Sequence, residues 1–160
     1  MALKIPFLIL IVSFFCKVNA ADFKEELTLS PALGYSTSTG LLWGGEVSVW
    51  KEVRPHWQWA AGLSFSKDQD RQTTRLLVDA IYNFDESYAQ SYFVGLGLVH
   101  SSFIEDDAPP SSLSLSTLFG KRIVFGETKR WAWKPSFRIF RDSQWDYRFN
   151  IDLINFSYSF

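Results

Sequence analysis

The sequence predicts an all-β fold: eight antiparallel strands closing up-and-down into a transmembrane β-barrel, preceded by a cleaved signal peptide. Three features of the 160-residue chain carry this expectation. Aromatic residues make up 18% of the chain, high for a water-soluble domain, yet the mean hydropathy is close to zero, so apolar residues are interleaved with polar ones. That interleaving has the two-residue period of strands rather than the 3.6-residue period of helices. The last residues show it most clearly: Ile154, Phe156, Tyr158 and Phe160 share one face, and Asn155, Ser157 and Ser159 share the other. In water such a strand would be an exposed, adhesive sheet edge. In a closed barrel its apolar face meets lipid and its edge pairs with the first strand.

The amino terminus is expected to be removed. Lys4 supplies a positive charge, residues 5–15 form an apolar run, and Val18, Asn19 and Ala20 make a small-residue cleavage site. This is the layout of a secretory signal over residues 1–20, too short to be a spanning helix. Cys16 is then lost with the signal, and Phe14 and Phe15 before it are too bulky for a lipoprotein acylation site. The remaining domain, residues 21–160, has no cysteine, which excludes disulfides and thiolate chemistry. Removing Lys4 and Lys17 leaves 14 basic against 17 acidic residues, a net charge of −3, which excludes a nucleic-acid footprint.

Turn signals at 36–40, 52–56, 67–72, 85–87, 105–112, 126–130 and 141–146 divide that domain into eight segments. Each leaves room for the roughly nine to eleven residues a tilted strand needs to cross a bilayer. The first sets Leu27, Leu29, Leu33 and Tyr35 against Glu26, Thr28, Ser30 and Gly34, with Pro31 suiting an edge or bulge. The second sets Trp43, Gly45, Val47 and Val49 against Gly44, Glu46 and Ser48. The third is the most regular, with Trp57, Trp59, Ala61, Leu63 and Phe65 opposite Gln58, Ala60, Gly62 and Ser64. In the fourth, Leu76, Val78, Ala80, Tyr82 and Phe84 oppose Leu77, Asp79, Ile81 and Asn83. The fifth has Tyr92, Val94, Leu96 and Leu98 against Ser91, Gly95, Gly97 and Ser101. The sixth offers Leu113, Leu115 and Phe119 against Ser114, Ser116 and Gly120; the seventh, Trp131, Trp133, Phe137 and Ile139 against Lys134, Ser136 and Arg138. In the eighth, Phe149, Ile151 and Leu153 are out of phase with Ile154 onward, so either a bulge keeps the apolar side outward or the upper part turns inward.

One face is bulky and aromatic; the other is mostly Gly, Ala, Ser and isolated charges. Eight strands enclose a bore just wide enough for side chains to fill it, so small residues are expected inside and large ones in lipid. A soluble ligand-binding barrel would reverse the two faces. Aromatics beside the turns (Trp57, Tyr82, Phe84, Tyr88, Trp131 and Trp133 at one rim, Trp43 and Tyr35 at the other) form the expected interfacial girdles.

The carboxyl-terminal stretch resembles the recognition signal of bacterial outer-membrane β-barrel proteins, here Ile154, Phe156, Tyr158 and Phe160. The whole domain resembles the small eight-stranded barrels of the OmpA transmembrane-domain and OmpX kind. The resemblance implies residence in the outer membrane of a Gram-negative envelope. It also implies insertion by the β-barrel assembly machinery, and a periplasmic amino terminus with the loops at 36–40, 67–72, 105–112 and 141–146 facing outside. Those loops are short, and no separate peptidoglycan-binding domain is expected. Expected partners are outer-membrane lipid, including lipopolysaccharide, and the assembly machinery; the sequence leaves the oligomeric state open.

Inward positions supply Glu26, Glu46, Asp79, Arg122, Lys134 and Arg138, joined by Arg148 and Asp152 if the bulge exists. With both signs present they are expected to pair and fill the bore, since a buried unpaired charge is costly. The alternative is a narrow channel selecting ions by charged rings. His100 and Ser102, two apart, point the same way near the outer rim, with Glu105 following. That spacing could supply a base, a nucleophile and an orienting acid. It is similar to the His-x-Ser of the lipid A deacylase barrels, although Phe103 stands where that motif has Asn, and Ser and Leu occupy the region of its Glu. A rim histidine beside loop serines is the simpler reading, and an enzyme is not the leading expectation. Glu105, Asp106 and Asp107 precede Pro109 and Pro110 without a ligand loop, and His56 has no second histidine near it, so neither a metal nor a cofactor is expected.

Overall fold

The computed structural model describes residues 25–37, 40–67, 72–85, 90–104, 111–141 and 147–160. The signal segment with Cys16, the girdle residue Tyr88 and the acidic run Glu105, Asp106 and Asp107 lie outside them. Period-two alternation folds into strands throughout: β1 (Glu25–Ser36), β2 (Gly40–Arg54), β3 (Trp57–Lys67), β4 (Gln72–Asn83), β5 (Tyr92–Ile104), β6 (Ser111–Lys121), β7 (Ile123–Phe125), β8 (Trp131–Trp133), β9 (Ser136–Arg141), β10 (Tyr147–Asp152) and β11 (Phe156–Ser159). These eleven segments build eight barrel strands, because β6–β7, β8–β9 and β10–β11 each continue one another past a short break. At two breaks the backbone still bonds across. The Arg122 N–H donates to Ser91 O and the Lys134 N–H to Asn155 O, both at 2.7 Å.

Successive barrel strands pair antiparallel, and β1 closes the sheet by pairing with β2 on one side and with β10 and β11 on the other. Closure leaves β1 paired on both sides rather than at a free edge, the condition hydrocarbon imposes on a spanning sheet. Both chain ends of the barrel lie together, with the Phe160 N–H donating to Glu25 O at 3.4 Å.

The register around β1 resolves the phase break in the last strand. Leu33 pairs with Ile151 and Leu29 with Phe156, so four steps along β1 span five along its partner. The extra residue is a bulge, and it leaves Leu153 and Ile154 both outward, 63% and 59% exposed. Pro31 pairs with Gly45 on the β2 side and faces the gap between the two register blocks on the other. A residue without a ladder donor costs little there. A second bulge separates the pairs Glu52–Gln58 and Arg54–Trp57 at the end of β2.

The outer wall is apolar from rim to rim, with Leu29, Leu33, Trp59, Leu96, Leu115, Ile151 and many other large residues exposed. Its aromatics meet beside the turns. Trp57 and Tyr82 pack edge-on at 5.3 Å, Tyr82 and Phe84 at 5.4 Å, and Trp131 and Tyr158 at 4.9 Å.

The bore corrects the expectation that large apolar residues belong in lipid and small ones inside. Trp50, Ile81, Phe93, Val99, Leu118 and Phe140 are buried inside. Glycines on facing strands make the room. A Cβ on Gly120 would strike the Phe93 ring, and one on Gly95 would lie 3.2 Å from the Leu118 Cβ. The small residues are the complement of the large ones in a close-packed interior.

Candidate functional site

Strand β4 serves as a ruler down the bore. Its inward residues, in order, are Thr73, Arg75, Leu77, Asp79, Ile81 and Asn83, all buried. From Arg75 on, polar and apolar residues alternate along this face, and each begins a layer that crosses the barrel.

The layer nearest the chain termini is built on Glu26. Arg122 donates from Nη2 to Glu26 Oε1, which also accepts from Gln58 Nε2 at 3.2 Å. The other oxygen, Oε2, accepts from Lys134 Nζ at 3.3 Å and from Ser157 Oγ at 2.8 Å. Lys134 also donates to Thr28 Oγ1 at 2.7 Å and sits 3.5 Å from the Trp50 ring centroid, a cation–π contact. Arg122 reaches Asn83 Oδ1 at 3.2 Å and Gln58 Oε1 at 3.0 Å, and Asn83 Nδ2 donates to Gln58 Oε1 at 3.1 Å. The carboxylate and both cations are fully buried. One anion is held by two cations and two neutral donors, with partners up to 131 residues apart in sequence.

An apolar layer follows, formed by Trp50, Ala60, Ile81, Phe93 and Leu118, with Trp50 and Phe93 edge-on at 5.3 Å. Above it Arg138 grips Asp79 with two parallel bonds, Nη1 to Oδ1 at 2.8 Å and Nη2 to Oδ2 at 3.0 Å. This bidentate geometry is the strongest form of the pair. Glu46 lies 3.9 Å from the same guanidinium, and Ser116 accepts from Arg138 Nη1 at 3.2 Å. Asp152, also buried, faces the bore as the bulge requires. A second apolar layer, Leu77, Val99 and Phe140, separates this group from Arg75. Arg75 donates to Ser66 Oγ at 2.6 Å and lies over the Phe140 ring at 5.2 Å. Arg148 is buried as well.

All eight inward charges read from the sequence therefore face the bore. Arg75, one residue before Leu76, is inward and buried as well, as the phase of Leu76 and Val78 requires. Gln58 and Asn83, inward by the same alternation, link the groups of the Glu26 layer. Their part as connectors depends on strands far apart in sequence.

At the other rim, the structure sets His100 on the outer face, with Ser102 half-buried two residues on. Their cross-strand neighbours are Leu76 and Leu113 for His100, and Thr74 and Ser111 for Ser102. None of these is an acid, and Glu105 lies outside the described residues. Among the described residues no group of three or more His, Cys, Asp or Glu could hold a metal ion.

A closed eight-stranded barrel with a polar, ion-paired bore and an apolar outer wall is a transmembrane β-barrel of the outer-membrane type. Solved structures agree on the fold. The chain is similar to Neisserial surface protein A, with a TM-score of 0.69 at 14% identity, covering 86% of this chain and 97% of that one. It is also similar to the N-terminal β-barrel domain of Pseudomonas aeruginosa OprF, with a TM-score of 0.57 at 16% identity, covering 84% and 97%. No family model and no curated protein matches the sequence. The fold is that of the small eight-stranded outer-membrane barrels, and its apolar wall is built to face hydrocarbon.

Proposed function

We propose that this chain is a structural or interaction component of the Gram-negative envelope, with a bore that does not conduct. The observation that carries the closed bore is the alternation along β4. Two apolar layers, one holding Trp50, Ile81, Phe93 and Leu118 and the other Leu77, Val99 and Phe140, lie between the charged ones. An ion crossing either layer would shed water without a replacement partner, at a cost of several kcal/mol or more. In the two acid-bearing layers, Glu26 pairs with Arg122 and Lys134, and Asp79 pairs with Arg138, as a narrow bore demands. Surface roles then fall to the apolar wall, which faces lipid and lipopolysaccharide. The outward residues Ile154, Phe156, Tyr158 and Phe160 are the segment offered to the assembly machinery during insertion.

Planar-bilayer recording of the purified full chain tests the closed bore. The expected trace is flat, and opening events should emerge on truncating Phe93 and Phe140 together to Ala. A steady unitary conductance from the unaltered chain would overturn the reading and make it a narrow channel.

A further inference from the structure

The outer wall carries a feature at the rim where the chain ends lie. Glu52 pairs with Gln58 on the bore side, Arg54 pairs with Trp57 on the outer side, and Val53 is the extra residue between them. At a strict period of two, Arg54 would follow Glu52 and point into the bore. The bulge re-aims it, and its guanidinium lies 5.2 Å over the Trp57 ring on the membrane side. The turn behind it is well defined. His56 adopts a left-handed backbone (φ 70°), its Nδ1 lies 2.8 Å from Asn83 O, and its ring stacks on Tyr82 at 5.5 Å. The neighbouring outward cation, Lys51, is engaged with Glu25 at 2.7 Å.

Beside Arg54 lies a hollow of about 410 Å³ lined by Val53, Arg54, Trp57, Gln58, Trp59 and Ala80. Ala80 pairs with Trp59, so a methyl group stands next to an indole and leaves space on the wall. Trp57 and Trp59 are two residues apart, so the hollow runs about 7 Å along the strand from the rim into the apolar band. It is cationic at its mouth and apolar within.

We propose that this hollow binds one glycerophospholipid. The phosphate meets Arg54, and the first part of an acyl chain lies over Ala80 beside Trp59 and Val53. Stacking on Trp57 occupies the guanidinium face and leaves its edge N–H groups to grip phosphate oxygens in the bidentate manner arginine favours. In a wall immersed in lipid, an apolar hollow is filled by hydrocarbon. The leaflet at this rim is the inner one in the orientation expected for such barrels. The site depends on the membrane wall alone and is independent of whether the bore conducts.

Native mass spectrometry of the full chain tests this by titration with palmitoyl-oleoyl phosphatidylglycerol and with the diacylglycerol of the same chains. One retained phosphatidylglycerol per barrel is expected, with little retention of diacylglycerol. Arg54→Gln should weaken retention about tenfold, the scale of a charge-assisted bond, and Arg54→Lys less. Ala80→Leu, which fills the hollow and keeps the charge, should weaken it too, and stands as the test if Arg54→Gln fails to show a folded, heat-shifted band. Equal retention by folded Arg54→Gln, by Ala80→Leu, or of diacylglycerol by the unaltered chain overturns the site.

Discussion

Replacing Glu26 with Gln removes one negative charge from a layer where Arg122 and Lys134 are both fully buried. The substitution is nearly isosteric, so packing against Thr28 and Trp50 is retained and the electrostatic change dominates. Glu26 accepts four bonds, two from cations and two from the neutral donors Gln58 and Ser157. A glutamine amide keeps one acceptor oxygen. Its NH2 group must point at the donors on the other side, so at least one cation loses its partner and meets a donor instead. Breaking a buried pair from one side costs about 3–5 kcal/mol. Arg122 retains Asn83 Oδ1 and Gln58 Oε1 as acceptors, which favours the middle of that range, about 4 kcal/mol. Reversible urea unfolding in phospholipid vesicles, followed by tryptophan emission and by heat-shifted gel mobility, would measure it. A second change, Lys134→Met, removes the cation stranded by the first, so the double variant should be more stable than Glu26→Gln alone by at least about 1 kcal/mol. A Glu26→Gln cost under about 1 kcal/mol, or strictly additive effects, would refute the account of this layer as a charge-coupled hub.

Two further outcomes follow from the wall and its packing. Deleting Leu153 removes the extra residue of the bulge, so Ile151, Asp152, Ile154, Asn155 and Phe156 follow in strict alternation and four steps along β1 meet four along its partner. Ile154, Phe156 and Tyr158 keep their outward phase, and Leu29 stays opposite Phe156. The expected result is a retained heat-shifted band after refolding, and loss of that band would show that the barrel needs the bulge itself. Gly120→Val places a branched side chain against the Phe93 ring, and its Cβ would stand 2.8 Å from the Pro135 carbonyl oxygen. Overpacking of this kind costs roughly 1–3 kcal/mol. Pairing it with Phe93→Ala should recover part of the loss in the same unfolding assay.

The eight barrel strands and their inward and outward faces were legible because a two-residue period is written locally, residue by residue. The described strand ends lie close to those expected; β6, for example, begins at Ser111. The inward charges were readable for the same reason, since the phase of one clear strand face predicts its neighbours. Arg75 was readable too, since it directly precedes the outward Leu76. The identity of each pair was not. Nothing near Glu26 in sequence indicates Arg122 or Lys134, which are 96 and 108 residues away.

The final strand shows where local information ends. Its alternation, its aromatic face and the phase break at Leu153 and Ile154 are properties of the sequence alone. Whether that break is a bulge or an inward turn depends on β1, whose register with Ile151 above and Phe156 below differs by one residue. The same holds at Arg54, where the two-residue period points into the bore and only the pairing with Trp57 sends the side chain outward. The large inward Phe93 likewise needed the paired sheet, because the glycine that admits it, Gly120, lies on the next strand. Sequence by itself determined the strands, their faces and the membrane as solvent. Tertiary structure decided the bulges, the partners and the layering of the bore, because these depend on how distant strands are staggered when the sheet closes on itself.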